Sequence, residues 1–407
     1  MVILVLNCGS SSIKYQVIRM ITMDEHILYA KGLIERIGQP EGRFVHTPMI
    51  EGKPVHEEKT AIPDHTKGVS MIIHALTHEK YGVIETLADL KAVGHRVAHG
   101  GEYFNDSTRI TRDVVEKIAL CAPLAPLHNP ANLVGIEAIS YLLPNLPQVA
   151  SFDNQLHQTI PPKNYLYAIP YEYYLRLRVR RYGFHGMSHK FVANKSCAMT
   201  GLEQETSKII TCHIGNGASV TALLNGRSYD TSMGFTPTDG LIMGTRCGTV
   251  DPGALLYIAE KDELSYNKLR TIINEQSGLL GISGISSDMR DVEAASKAGN
   301  ERATLAIEMY TARIKKFIGE YAAIMGGVDM VVFTGGVGEN NPGVRRAVCE
   351  DMEFMGIEFD RAANENARGE DKLISKPSSR VKVVVATTDE ELVIATDTFR
   401  LLKRRSE

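Results

Sequence analysis

The chain carries almost no net charge: 45 Lys and Arg stand against 48 Asp and Glu in 407 residues, a formal charge of −3. With a pI near 6.5 it has no global basic field, so nucleic acid is not an expected partner. Its six cysteines, Cys8, Cys121, Cys197, Cys212, Cys247 and Cys349, include no C-x-x-C pair. That excludes a zinc ribbon and a thioredoxin-like motif, and points to reduced thiols in a cytosolic protein. No apolar run approaches the roughly 18 residues that cross a bilayer. The opening MVILVLN is too short for a signal peptide and has no basic flank, so it reads as a buried strand. No Pro/Ser-rich linker interrupts the chain, so its domains are expected to pack closely. Hydrophobic residues at 43% and charged residues at 23% exclude a disordered chain or a coiled coil. At about 150 residues per domain, this length allows two or three domains.

What the chain does have is clustered glycine. Val2–Leu6 reads as a strand, Asn7 to Ser12 as a Gly/Ser turn, and Ile13–Ile18 as a strand in which Ile13, Tyr15 and Val17 alternate with polar residues. The same unit recurs some two hundred residues later. Ile209–Ile214 is a strand, Gly215–Ser219 a turn and Val220–Leu224 a strand, followed by the hairpin signal Asn225-Gly226 and a strand through Tyr229. Two copies of one hairpin unit predict an internally duplicated chain. Asn129-Pro130 and Asn341-Pro342 each read as an N-cap followed by Pro in the first helical turn. They predict helices over Ala131–Leu143 and up to Glu350. Gln148–Phe152 and Met330–Phe333 read as strands. A helical stripe from Leu305 to Ile324 is stopped by Gly326-Gly327.

Strands that end in Gly/Ser turns expose backbone N–H groups, which bind phosphate oxygens. The Asn7–Ser12 turn, with Lys14 just beyond it, is not a Walker A loop, because strand rather than helix follows. Gly335–Asn340 reads as a third Gly-rich loop, leading into a helix N-terminus. Three such turns predict a nucleotide with several phosphates. Arg96, between Gly94 and Gly100, and Arg246, between Gly244 and Gly248, are forks suited to carboxylate or phosphate, or else members of structural ion pairs. Asp153 closes a strand, and His185 lies in the polar loop Gly183–Gly186. His185 and His189 have helical metal-pair spacing but lack the acidic residue of H-E-x-x-H, so no zinc site is expected.

The segments NCGSSSIK, GHRVAHGGE, APLHNP, RRYGFHGMSH, CHIGNGAS, DTSMGFTP, MGTRCG, GISSDMRD, FTGGVGEN and TDEELVIA run in this order from Asn7 to Ala395. Together they resemble the acetate kinase (acetokinase) family, of the acetate and sugar kinase/heat-shock protein 70/actin superfamily, over essentially the whole chain. That resemblance implies an α/β, duplicated two-domain actin-like/ribonuclease H-like fold with an active-site cleft between domains. The domains would be residues 1–152 with 388–407, and residues 153–387. It implies Mg²⁺-dependent, reversible in-line transfer of a phosphoryl group from ATP to acetate, giving acetyl phosphate and ADP, with Mn²⁺ as an alternative ion. The resemblance also implies a cytoplasmic homodimer with small-molecule partners and neither nucleic acid nor membrane. Propionate, the acceptor of close relatives, is the alternative substrate.

Residue by residue, the resemblance implies catalytic roles for Arg96, Asp153, His185 and Arg246. An acceptor pocket would be built from Arg96, Ala98, Leu127, Phe184 and Pro237. Nucleotide contacts would come from Ser10, Ser12, Lys14, His213, Ile214, Gly215, Asn216, Gly217, Asp288, Met289, Arg290, Gly335, Gly336, Val337, Gly338 and Glu339. Asn7 and Glu390 would lie near the metal. Acetate is already ionised at neutral pH, so the chemistry needs cations rather than a general base. The two Arg and His185 argue against a non-catalytic nucleotide clamp, which needs no cations around an acceptor. The sequence departs from the family pattern at Asn154-Gln155-Leu156 and Thr238-Asp239, both beside expected site residues. Ala98 stands where the family's acetate kinases usually carry Val, which predicts room for about one more substrate carbon.

Overall fold

The computed structural model describes residues 1–126 and 128–403. Leu127, expected in the acceptor pocket, lies outside the described residues. The chain divides into two compact units, Met1–Gln155 with Asp389–Glu407, and Leu156–Thr388.

The first unit holds an eight-stranded sheet in the order β5-β4-β3-β2-β1-β6-β8-β7. Its strands are β1 (Val2–Cys8), β2 (Ser12–Met20), β3 (His26–Glu35), β4 (Gly42–Pro48), β5 (His56–Thr60), β6 (Leu90–Val97), β7 (Thr108–Arg109) and β8 (Gln148–Phe152). β1, β6 and β8 are parallel, and β1 to β5 form an antiparallel meander. Burial follows from this. Ile3 to Leu6 are buried on both faces, as a central strand with a parallel neighbour requires. β2 buries Ile13, Tyr15 and Val17 and exposes Lys14. Helix Glu390–Lys403 packs on β1, β2, β6 and β8, so the chain's last helix sits against its first strands.

The second unit holds a six-stranded sheet in the order β11-β10-β9-β12-β14-β13. Its strands are β9 (Lys208–Ile214), β10 (Ala218–Leu224), β11 (Arg227–Thr231), β12 (Met330–Thr334), β13 (Lys372–Leu373) and β14 (Lys382–Val385). β9, β12 and β14 are parallel, and β9 to β11 are antiparallel. The order β11-β10-β9-β12-β14 therefore repeats β3-β2-β1-β6-β8 of the first unit, as the paired hairpin units predict. Asn225 and Gly226 both take positive φ, 52° and 77°, the geometry of a tight hairpin turn. Helix Glu301–Met325 is capped by the Asn300 side chain, which accepts from Ala303 N, and ends at Gly326 with φ 69°.

Two local expectations are corrected. Gly335–Asn340 is a short helix rather than a loop, starting directly after β12. Asn129 begins helix Asn129–Leu142 instead of capping it. Its amide accepts from His99 N and donates to the carbonyls of His99 and Ile118, a better use for a buried amide than a cap beside open solvent. Asn341 does cap its helix, Pro342–Cys349, by accepting from Val344 N.

Candidate active site

In the first unit, the expected residues collect at the carboxyl ends of β1, β6 and β8. β1 ends in Asn7 and Cys8, and Gly9 N donates to Ser12 O at 2.8 Å, closing the turn that carries Ser10. Asn7 pairs across it with Lys14. The exposed Lys14 ammonium is 2.6 Å from a Glu391 carboxylate oxygen. Arg96 near the end of β6 donates through Nε and Nη2 to the two oxygens of Asp153, at 2.9 and 2.7 Å. Its Nε also lies 3.9 Å from Glu390. Arg96 is therefore a member of a buried bidentate pair. Burial alone lowers the Arg96 pKa, but Asp153 and Glu390 outweigh it and hold the guanidinium charged. Burial pushes the Asp153 carboxyl up, and Arg96 offsets part of that.

Beyond Arg96 the chain turns through Ala98–Gly101 on three amide side chains. Asn132 accepts from Ala98 N and donates to Cys8 O, tying the β6 loop to the β1 loop. Asn129 brackets His99, and Asn154 accepts from Gly100 N and donates to Gly101 O. The departure at Asn154-Gln155 is thus structural, since Gln155 likewise accepts from Phe152 N. Ala98 is buried at 8% exposure.

In the second unit, the turn after β9 is closed by Gly215 N donating to Gly217 O at 3.1 Å. A Cβ placed on Gly217 would lie 3.5 Å from Arg246 Nη1 and 3.7 Å from His185 Nε2, so both side chains converge on this turn. Arg246 Nη1 donates to Pro237 O at 3.0 Å. Only desolvation perturbs Arg246, lowering its pKa; no carboxylate faces it among the described residues. A guanidinium retains its proton under such a shift. His185 starts helix Gly186–Thr200 with φ 58°, unusual for a residue with a Cβ. The turn before it is fixed by His157, which lies 3.0 Å from Phe184 O through Nε2 and 2.9 Å from Ser228 Oγ through Nδ1. Gly183, at φ 74°, passes so close to His157 that a Cβ would sit 2.6 Å from its ring. Thr238 and Asp239 also have local roles: Thr238 Oγ1 donates to Asn274, and Asp239 accepts from Gly240 N and Thr249 Oγ1.

Wholly within this unit lies a cavity of about 890 Å³. Seven expected nucleotide residues line it: Gly215, Asn216, Asp288, Met289, Arg290, Gly336 and Val337. Asp288 caps helix Met289–Lys297 through Arg290 N and pairs with the Arg290 guanidinium, whose hydrogen bonds hold its carboxyl down to about 2. Other expected contacts serve the scaffold. Ile214 is fully buried, Gly338 faces Ile214 and Phe333, and Glu339 accepts from Thr334 Oγ1, Gly335 N and Thr388 N. Gly335 has φ 78°, and a Cβ there would meet Ile214 O at 2.9 Å, so glycine is required. His213 stacks on His185 with ring centroids 4.2 Å apart.

The cavity also has walls that sequence reading did not single out, among them Leu279, Glu293, Lys297, Tyr310 and Arg368. Leu279, Tyr310 and Arg368 come from separate elements with no spacing to link them, whereas Glu293 and Lys297 lie one and two turns beyond Met289 on its own helix, a spacing that could have found them. Tyr310 is 1% exposed, and its hydroxyl has no hydrogen-bond partner among the described residues. Fully buried Arg345 donates to the carbonyls of Gly338, Asn364 and Ala367 behind this wall.

For a divalent ion, the first unit offers hard oxygen donors. Asn7 and Glu390 are both only partly buried, one amide and one carboxylate. Mg²⁺ is commonly held by one or two such groups while phosphates and water complete its shell, so this donor set fits it. No cluster of three or more His, Cys, Asp or Glu among the described residues could hold a metal alone. No helix among them is long and apolar enough to cross a membrane.

A model of the Acetokinase family matches residues 2–396. An acetate kinase from Parabacteroides distasonis is 52% identical over 405 residues, 100% of each chain. One from Bacteroides thetaiotaomicron is 52% identical over 404 residues, covering 99% of this chain and 100% of its own. Among solved structures, the acetate kinase of Porphyromonas gingivalis superposes with a TM-score of 0.94 at 50% identity, over 98% of this chain and 99% of that one. A propionate kinase from Francisella tularensis subsp. tularensis SCHU S4 is further away, 38% identical with a TM-score of 0.87, over 97% of this chain and 98% of its own.

Proposed function

Because the chain belongs to the acetokinase family, we propose that it is an acetate kinase, reversibly transferring the γ-phosphoryl group of ATP to acetate. The observation that carries this reading is the turn Gly215–Gly217. Its first residues border the nucleotide-sized cavity, while Arg246 Nη1 and His185 Nε2 converge on its last. A phosphate chain laid along that turn meets two donors at its reacting end, the Arg246 guanidinium and the His185 imidazole.

An acetate oxygen attacks the γ-phosphorus, the bond from that phosphorus to the β–γ bridging oxygen breaks, and ADP leaves with the electron pair. Acetate enters as its anion, so no residue has to remove a proton. Arg246 neutralises charge on the equatorial oxygens, and His185 donates to the same group. Asp153 does not act as a base. It fixes the Arg96 fork, whose remaining N–H donors orient the acceptor carboxylate. Asn7 and Glu390 would hold Mg²⁺, which when bound neutralises phosphate charge.

The protein works in the cytoplasm as a homodimer. Helices Glu172–Leu177, Pro252–Lys261 and Tyr266–Glu275 bury no residue, yet carry exposed Leu175, Leu256, Tyr257 and Tyr266, a surface suited to a second copy. A coupled assay for ADP with formate, acetate, propionate and butyrate tests the reading. Acetate-dependent ADP release is expected; ATP hydrolysis indifferent to any acid would overturn it.

A further inference from the structure

We propose that Thr211, His189 and Ser219 form a hydrogen-bond chain that holds His185 in its Nε2–H tautomer, making Ser219 and His189 positioning residues for phosphoryl transfer. The proposal rests on the role given to His185 above.

The geometry is a continuous line. Thr211 Oγ1 is 2.7 Å from His189 Nδ1, His189 Nε2 is 2.7 Å from Ser219 Oγ, and Ser219 Oγ is 2.9 Å from His185 Nδ1. Thr211, His189 and Ser219 are each 0% exposed, so water is not there to complete an unmade bond. Burial holds His189 in its neutral form, with one ring proton. The two rings then allow four tautomer pairs, and whenever His189 carries its proton on Nδ1 the Thr211 hydroxyl proton has no acceptor among the described residues.

If His185 donates from Nδ1 and the chain runs toward Thr211, the Thr211 hydroxyl proton is left without an acceptor among the described residues. If both imidazoles donate into Ser219, the Ser219 proton is orphaned instead. Only one arrangement uses every proton. Thr211 O–H donates to His189 Nδ1, His189 Nε2–H donates to Ser219, and Ser219 O–H donates to His185 Nδ1. A buried polar group left unpaired is costly, which selects that arrangement.

Its consequence lies at the far nitrogen. With Nδ1 accepting, the His185 proton sits on Nε2, the atom beside Arg246 Nη1 at Gly217. Protonating Nδ1 as well would deprive Ser219 of its acceptor. The chain therefore favours the neutral ring with its proton on Nε2. The His185/His189 spacing, which lacks the acidic residue of a zinc motif, finds its explanation in the serine bridging the two rings.

The test is the pH profile of kcat for Ser219→Ala, Ser219→Thr and Thr211→Val. Ser219→Ala should lower kcat about 10- to 100-fold, less than the roughly 10²–10³ for losing a transition-state donor outright. KM values for ATP and acetate should change by less than about twofold, the pattern of a donor that acts only in the transition state. A new ionisation near the ordinary imidazole value, about 6.5, should appear in the profile. Ser219→Thr keeps the hydroxyl and should restore both rate and profile. Thr211→Val removes only the terminal donor, and should show the same new ionisation with a smaller loss of rate. In a His185→Ala background, Ser219→Ala should cost nothing further. A wild-type-shaped profile in whichever of Ser219→Ala and Thr211→Val folds, or losses that multiply with His185→Ala, would overturn the chain. Full activity in His185→Ala alone would instead overturn the role of His185 itself, and the acetate-dependent assay would stand.

Discussion

The two units share a sheet order but hold their cations differently. In the first, Arg96 is gripped by Asp153 through both oxygens, with Glu390 nearby, and the loop beyond it is stapled by Asn129, Asn132 and Asn154. In the second, Arg246 rests on the Pro237 carbonyl, a neutral partner. A cation balanced in place serves geometry; one left unbalanced at a glycine turn keeps its charge for an incoming anion. The same strand order therefore carries a positioned fork in one unit and a charged surface in the other.

The largest expected effect separates these two arginines. Arg246→Ala should cut turnover by roughly 10³–10⁵ with little change in melting temperature, and Lys should rescue it poorly because it lacks the fork. Arg96→Ala should lose turnover too, but also destabilise the protein by about 3–5 kcal/mol, because it leaves the Asp153 carboxylate buried and unpaired. Circular dichroism melts of both variants decide whether the distinction holds; equal melting temperatures would erase it. Arg96→Ala should also sharpen a pH signature. Burial already holds the Asp153 carboxyl above its ordinary value, and losing Arg96 raises it further, so the folded state holds the extra proton more tightly and stability should fall more steeply as pH rises.

A second contrast is expected to vanish. His95 in the first unit and His157 in the second are both buried, and burial takes each down to about 4. The unfolded chain binds protons that the folded one refuses, so stability is complete above about 6.5 and drains as pH falls toward 4. Each histidine contributes about 3 kcal/mol to that loss. Urea melts between pH 7 and 4.5 should show it, and His157→Asn should flatten the slope about as much as His95→Asn.

Smaller effects probe the ligand walls. In the first unit, Ala98→Val should shift the propionate-to-acetate ratio of kcat/KM toward acetate by up to about tenfold, since one methylene is worth only ~1–3 kcal/mol. An unmoved ratio would show that Ala98 does not set acceptor size. In the second unit, Tyr310→Phe removes a hydroxyl without a partner and should stabilise the empty protein by up to about 1 kcal/mol. A lower melting temperature would show that the hydroxyl is satisfied in solution.

Much of this was legible along the chain. Alternation of Ile13, Tyr15 and Val17 with Lys14 and Gln16 located β2, and Asn225-Gly226 located the β10–β11 hairpin, because strand pleat and turn φ are local properties. The Gly335–Asn340 helix was not legible, since helical bonding in a Gly-rich stretch depends on Glu339 accepting from both Gly335 N and Thr334 Oγ1. Nor did spacing place Tyr310 on the same cavity as Gly215.

By itself, the sequence determined the strands, the duplicated hairpin, the family and the residue types able to carry a phosphoryl transfer. Those depend on short-range periodicity and on motifs in a fixed order. Which arginine is balanced and which is bare was decided only by tertiary structure. Asp153 reaches Arg96 because β6 and β8 lie side by side in parallel register, with Arg96 opposite Ser151. Ser219 reaches both His185 and His189 because β10 folds back antiparallel on β9, placing Ser219 opposite His213. Charge balance and proton placement are properties of distances of 2.7 to 2.9 Å between residues many positions apart in the chain, and no local pattern encodes such distances.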